Sequence, residues 1–232
     1  MQPVPEDWDR AVAIAAHPDD LEYGIAAAVA RWTRQGREVT YLLATRGEAG
    51  IAGLPPAQAG PLREREERAG AALVGVRDVD FLDHADGVVE NGLPLRRDLA
   101  AALRRLRPQA VFTLSFDLTW GSDGPVNHSD HRAVGLAVLD ACRDAANEWV
   151  FPGAGQAWQG IRAIYVASGG GSHFADVTET LDMGIASLRA HQVYLDALGG
   201  DFDPAEFLRT STAGTGAAAG CQHAVAFRRY PA

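Results

Sequence analysis

Apolar and polar residues follow one another in blocks along this chain, and the blocks change period as they go. Residues 11–16 (AVAIAA) are an unbroken apolar run, as in a strand buried on both faces, and they predict the first strand. Residues 20–35 (DLEYGIAAAVARWTRQ) have helical spacing, with Asp20 as a plausible N-cap and Gly36 where a C-cap would sit. Residues 38–45 (EVTYLLAT) are rich in β-formers and predict a second strand. The Gly/Pro-rich stretch 46–60 predicts a loop, and the charged amphipathic stretch 62–74 a helix. A strand at 78–83, a helix at 93–106 and a strand at 109–115 follow. Then come a polar loop at 116–127, a helix at 129–146 and a strand at 163–168. Helical spacing runs over 177–198 and again over 204–214, and residues 223–229 predict a last strand. TAGTGAAAG, 212–220, predicts a mobile loop.

Strand and helix alternate almost throughout. That alternation predicts an α/β fold, a mostly parallel sheet with helices on both faces. No linker or internal repeat divides the chain, so residues 1–232 are expected to form one domain.

Composition narrows the function. Hydrophobic residues make up 47 % and charged residues 22 %, as in a soluble globular protein. No run approaches the ~20 apolar residues of a membrane span. The N-terminal stretch MQPVPEDWDR is polar and acidic, without the apolar core of a signal peptide, so a cytoplasmic protein is expected. A net charge of −9 disfavours nucleic acid and anionic membranes as partners and leaves a small-molecule substrate. A homo-oligomer is compatible with the sequence. All 21 basic residues are arginine, which excludes a Schiff-base lysine and a P-loop lysine. Cys142 and Cys221 match neither a zinc spacing nor a redox motif; Cys142 is expected in the core and no disulfide is expected.

Ligands in open α/β sheets bind beyond the carboxyl ends of the strands. The first such end carries HPDD, residues 17–20, where a dinucleotide-binding chain would carry a glycine-rich loop. Past the strand at 109–115 comes VNHSDHRA, 126–133. His17 and Asp20 are three apart, as are His128 and His131, so each pair can share a face at a helix start. The two strands can be neighbours where the strand order reverses, bringing the clusters face to face. Each feature alone has a plain reading: Asp20 as an N-cap, His17 as a structural histidine, NHSDHR as a polar turn. Together they point to a metal. His17, Asp20 and His131 supply two imidazoles and a carboxylate, the donor types of a catalytic Zn²⁺ with an open position. Fe²⁺, Co²⁺ or Ni²⁺ would fit the same donors. Asp19 and His128 remain beside them, of the types needed for a base and an oxyanion stabiliser.

AHPDD followed much later by HSDH resembles the paired signature of the PIG-L/LmbE family of metal-dependent N-acetylglucosaminyl de-N-acetylases. TRGEAG, LREREERAGAALVGV and ASLRAHQ resemble further family stretches. The resemblance covers nearly the whole chain and implies a Rossmann-like fold and hydrolysis of an N-acyl amide on a sugar conjugate or related metabolite. It implies zinc on His17, Asp20 and His131, and Asp19 as general base. It also implies His128 as the histidine stabilising the tetrahedral intermediate, with Asp130 supporting that histidine. Many relatives continue the late motif as His-Arg-Ser-Gln, where this chain reads HQVYL.

Other residues carry weaker signals. Arg46 and Glu48 are candidates for substrate hydroxyls and read equally as a solvated loop pair. Asp86 is a candidate sugar contact or a turn residue beside Gly87. Trp120 reads as a stacking platform or as simple packing. His191 approaches the site by resemblance and reads equally as a capped or surface histidine. Glu64 and Glu66 read as solvated partners of arginine. SGGGS, 168–172, is a flexible turn and a poor phosphate cradle. Two imidazoles and one carboxylate also describe the iron triad of non-haem oxygenases, and a binding protein without turnover would keep the same site. Asp19 and the strand–helix alternation favour hydrolysis over the oxygenase, and the presence of every residue that hydrolysis needs favours turnover over binding alone.

Overall fold

A computed structural model of the chain describes residues 1–121, 123–200 and 202–232; Ser122, within the predicted polar loop 116–127, lies outside the described residues. In chain order the elements are β1 (Gln2–Pro3), β2 (Arg10–Ala15), α1 (Asp20–Gly24), α2 (Ala26–Arg34), β3 (Glu38–Leu43), α3 (Pro56–Leu73), β4 (Val79–Phe81) and α4 (Leu93–Leu106). Then follow β5 (Ala110–Leu114), α5 (Ser129–Ala146), β6 (Ala163–Ala167), β7 (His173–Asp176), α6 (Leu181–Arg189), α7 (Gln192–Leu198), α8 (Pro204–Ala219) and β8 (Ala224–Pro231). The strands form one sheet in the order β1-β7-β8-β6-β5-β2-β3-β4. All neighbours are parallel except β8, which runs antiparallel to β6 and β7. The mostly parallel α/β sheet expected from the alternation is therefore present. β1 and β7 add two strands that the sequence pattern did not predict.

The apolar runs are buried on both faces, and alternate residues go to opposite sides. Along β2 and the residue after it, Ala11, Ala13 and Ala15 join the core under α1, α2, α6 and α8, while Val12, Ile14 and Ala16 join the core under α4 and α5. The first core is anchored by aromatic rings. Trp32 stacks on Phe112 with centroids 4.4 Å apart, Phe112 stacks on Tyr165 at 5.1 Å, and Trp8 meets Trp32 edge-on at 5.4 Å. Cys142 is buried as expected and both cysteines are free.

Four expectations change, each through a tertiary contact. The helix expected over 20–35 breaks at Ile25, whose φ of −138° and ψ of −4° are not helical. A Cβ on Gly24 would come within 2.5 Å of Leu114 Cδ2, so the chain passes tightly over β5 at that point. The helical stretch 177–198 breaks between α6 and α7, where His191 turns inward. The stretch 212–220 is not a mobile loop. It continues α8 to Ala219, with Gly220 closing the helix at φ 81°. Leu208, Thr212 and Gly216, one turn apart, are buried on its inner face, so packing overrides a weak intrinsic preference. The loop expected over 46–60 ends early, because α3 begins at Pro56, with proline at its first turn as helices favour. Among the described residues no helix is long and apolar enough to cross a membrane.

Arg104 ties α4 to the end of α5. Its buried guanidinium donates to the carbonyls of Asp144, Ala145, Asn147, Val150, Phe151 and Gly155. Carbonyls at a helix C-terminus lack helical partners and favour a cation. Arg104→Ala is expected to cost about 2–4 kcal/mol, from the charged hydrogen bonds lost and the carbonyls left unpaired. Limited proteolysis should then cut first within residues 147–159.

Candidate active site

Strand order reverses at β2, which pairs with β3 on one side and β5 on the other. The crevice expected at such a reversal opens between the carboxyl ends of β2 and β5. HPDD leaves β2 there, and NHSDH enters α5 there. The two clusters meet as the sequence predicts. His17 Nδ1 lies 3.2 Å from His131 Nε2 and 3.4 Å from Asp20 Oδ2, and His131 Nε2 lies 3.0 Å from Asp20 Oδ1. Donors on one tetrahedral ion, with metal–nitrogen bonds of about 2.0–2.1 Å, lie about 3.3 Å apart. These spacings match.

The far side of each imidazole is also engaged. His17 Nε2 lies 3.0 Å from Asp86 Oδ1 and 3.2 Å from Asp130 Oδ2, and His131 Nδ1 lies 2.9 Å from Asn127 Oδ1. Metal-binding histidines commonly have such outer partners, which set the tautomer and ring orientation. Asp20 Oδ2 also accepts the N–H groups of Ala16 and His17. Burial pushes the Asp20 carboxyl up, but His131 and His17 outweigh it and hold it well below the usual carboxylate range. The same set fits a divalent cation. His128 stands close as well: ring nitrogens of His17, His128 and His131 lie within 4.8 Å of one another.

Asp19 has left-handed backbone, φ 92°. Its N–H donates to Glu67 Oε2 at 3.1 Å, and its Oδ1 lies 3.1 Å from Arg63 Nη2. Burial, against the opposing pull of Arg63, pushes the Asp19 carboxyl up to about 7. Tyr194 hydrogen-bonds the same carboxylate. His128 caps α5, and its Nδ1 accepts the Asp130 N–H at 3.2 Å. That bond leaves the ring proton on Nε2 of a neutral imidazole. Burial and the charge of His17 lower the His128 pKa further.

Asp130 takes a different partner from the one the resemblance implied. Its carboxylate is 3.9 Å from His128 Nδ1. It instead bonds His17 and accepts the N–H groups of Gly87 and Val89. Arg46 and Glu48 are not on the cavity wall. Arg46 pairs with Asp83 and Glu64, and Glu48 accepts the N–H groups of Arg46 and Asp86, so both shape the loops. Asp86 does reach the site, through His17. Trp120 lines the cavity edge-on to His131, ring centroids 5.7 Å apart. His191 has no exposed surface; its Nε2 lies 3.6 Å and 3.7 Å from the buried carboxylates of Glu22 and Glu67, behind the site. Glu64 pairs with arginine as expected.

Sequence reasoning missed Arg63, Glu67 and Asn127. Arg63 and Glu67 are hidden in the charge run LREREER. The four-residue spacing that puts them on one face was the available signal.

The site opens into a cavity of about 860 Å³. Among the residues that line it, Ala49, Gly50, Asp86 and Gly87 follow β3 and β4, while Leu114, Ser115, Ala167, Ser168 and Ala224–Ala226 lie at the ends of β5, β6 and β8.

Residues 12–142 match the model of the PIG-L family, described as GlcNAc-PI de-N-acetylase. The chain is 25 % identical over 195 residues to diacetylchitobiose deacetylase of Thermococcus kodakarensis, an alignment covering 80 % of this chain and 70 % of that protein. It is 29 % identical over 184 residues to 1D-myo-inositol 2-acetamido-2-deoxy-alpha-D-glucopyranoside deacetylase of Streptomyces avermitilis, covering 67 % of this chain and 60 % of that one. The fold superposes on the solved N,N'-diacetylchitobiose deacetylase of Pyrococcus horikoshii with a TM-score of 0.86 at 23 % identity, over 97 % of this chain and 85 % of that one.

Proposed function

This chain belongs to the PIG-L family, and from that premise we propose that it is a divalent-metal-dependent hydrolase that removes the acyl group from the amide nitrogen of an N-acetylglucosamine-type conjugate. The observation that carries the reading is the convergence of His17, Asp20 and His131 with Asp19 beside them. The named activities of the two curated relatives, both deacetylases of N-acetylglucosamine-containing compounds, support it.

His17 Nδ1, the Asp20 carboxylate and His131 Nε2 would hold the cation, with zinc the first choice for that donor set. When bound, it supplies Lewis acidity to the amide carbonyl and acidifies the attacking water. Asp86, Asp130 and Asn127 keep the two imidazoles turned toward it. Asp19 takes the proton from the water that adds to the carbonyl carbon. Its pKa near 7 suits a group that both accepts and returns a proton. His128 offers its Nε2–H to the oxygen on which negative charge develops. The C–N bond then breaks, Asp19 returns the proton to the leaving nitrogen, and a carboxylate and a free amine remain. The substrate in this reading is a water-soluble conjugate met in the cytoplasm.

Metal analysis by mass spectrometry together with acetate release from a panel of N-acetylglucosaminides tests the proposal. The expected result is one divalent ion per chain and acetate release that stops with chelator and returns with zinc. Asp20→Ala should lose both the ion and turnover. Protein that takes up no metal on reconstitution would overturn the reading, because the three donors would then not act together.

A further inference from the structure

The cavity, about 860 Å³ in all, must take both arms of an N-acyl sugar, and it does not end at the clustered histidines and carboxylates: it continues past them beneath α8.

Sheet order divides that space. Ala49, Gly50, Asp86 and Gly87 follow β3 and β4, on one flank of β2. They present loop backbone, which can bind hydroxyls; the Asp86 carboxylate beside it already holds His17 Nε2 and the Ala49 N–H. Leu114, Ala167 and Ala224–Ala226 belong to the ends of β5, β6 and β8, on the other flank. There the wall is mainly apolar, interrupted by the hydroxyls of Ser115 and Ser168, and most of its residues are small. Gly24, Ala26 and Ala27, at the break between α1 and α2, leave a channel, and α8 roofs it with Leu208, Ser211 and Thr215. The channel mouth is also apolar. Leu198 and Phe207 line it while 48 % and 41 % exposed. Phe207 packs on Tyr23 at 5.4 Å and on Phe202 at 5.8 Å. Exposed apolar residues gathered at the mouth of an apolar cavity mark a surface that receives apolar ligand.

An amide lying across the cluster has its two arms on opposite flanks. We propose that the sugar arm lies toward β3 and β4, that the acyl arm enters the channel under α8, and that the preferred substrate carries a medium-length fatty acyl chain in place of acetyl. This rests on the deacylase reading above. The chemistry is unchanged: water adds across the C–N bond, the chain leaves as a fatty carboxylate, and the amine takes the proton. Each methylene that enters the channel adds about fourfold to binding.

The test uses the zinc-loaded enzyme and glucosamine carrying N-acetyl, N-butyryl, N-hexanoyl or N-octanoyl groups, with the octyl glycoside of N-acetylglucosamine as a counter-probe. The expected result is a kcat/KM that climbs with acyl length, to more than about a hundredfold over acetyl at octanoyl. Ser211→Phe and Thr215→Phe put a ring into the channel from α8. Each should lower the octanoyl-to-acetyl ratio by about tenfold or more. Ser211 is exposed, so its substitution does not challenge the fold. Calorimetry on the metal-free protein reads binding alone. If no amide is cleaved but N-octanoylglucosamine binds tighter than N-acetylglucosamine, and Thr215→Phe removes the difference, the hydrolase reading fails and the channel assignment stands. If acetyl is cleaved while longer chains react and bind no better, the channel assignment is overturned. It is also overturned if the octyl glycoside gains the affinity instead, since the channel would then take the sugar's apolar substituent.

Discussion

Replacing Asp19 by asparagine is expected to lower kcat by about 10²–10⁴-fold, the typical contribution of a positioned general base, with metal content unchanged. Asparagine has the same shape, keeps the backbone bond to Glu67 and cannot take a proton from water. His17, Asp20 and His131 are untouched, so metal content measured beside kcat separates loss of the base from loss of the site. KM should change little, because the proton transfer is made only on the way to the transition state. The pH profile carries a further signature. As a base Asp19 would act when deprotonated, so the rate is expected to fall as pH drops through its pKa. Burial pushes that pKa up to about 7, and Arg63 works against burial. A bound cation also favours the ionised form. Arg63→Met removes the guanidinium and should move the acid limb of kcat/KM to higher pH. An asparagine variant retaining more than a tenth of wild-type kcat would remove Asp19 from the mechanism.

Trp32→Ala is expected to cost about 3–5 kcal/mol, as large aromatic truncations in cores do. Trp32 has no exposed surface. Its ring is stacked on Phe112 and flanked by Trp8, and its Nε1–H donates to Glu6 at 3.0 Å. Phe112 is the next ring in a chain of contacts that reaches Tyr165 and Phe227 across β5, β6 and β8. Truncation leaves a hole that several elements would have to close together, and close packing resists that. Against a total stability of about 5–15 kcal/mol, this is a large share. Urea unfolding should show a lower midpoint with an unchanged slope. Trp149→Ala is the control: Trp149 is 81 % exposed, and its loss should stay within about 0.5 kcal/mol. Equal effects from the two would mean that the stacked rings are not the centre of the core.

The position of the candidate site was legible because short stretches carry it. HPDD and HSDH each sit directly behind an apolar run, and the ends of buried strands in an open α/β sheet are where ligands bind. Those two facts located His17, Asp20, His131, Asp19 and His128 before any contact was known. Arg63 and Glu67 were not legible. In LREREER six of seven residues are charged, and only the packing of α3 against the loops after β2 and β3 and against His191 and Tyr194 decides which two are buried. The choice of Asp130 was also hidden. A carboxylate next to His128 in sequence reads as its partner, yet the register of β2 beside β5 brings His17 closer.

By itself the sequence determined the alternation of strand and helix, the apolar runs that become the sheet, and the residue types at the strand ends. Periodicity and turn chemistry act over a few residues, so they are written locally. Tertiary structure decided where the long helical stretches break, that the Ala/Thr/Gly-rich stretch 212–220 continues a helix, and which far nitrogen meets which carboxylate. It alone decided that small residues from β6, β8, α1 and α2 leave a hollow beside His17, Asp20 and His131. Each of these outcomes depends on what distant segments place against one another, and a one-residue change of register would alter them without changing the local pattern.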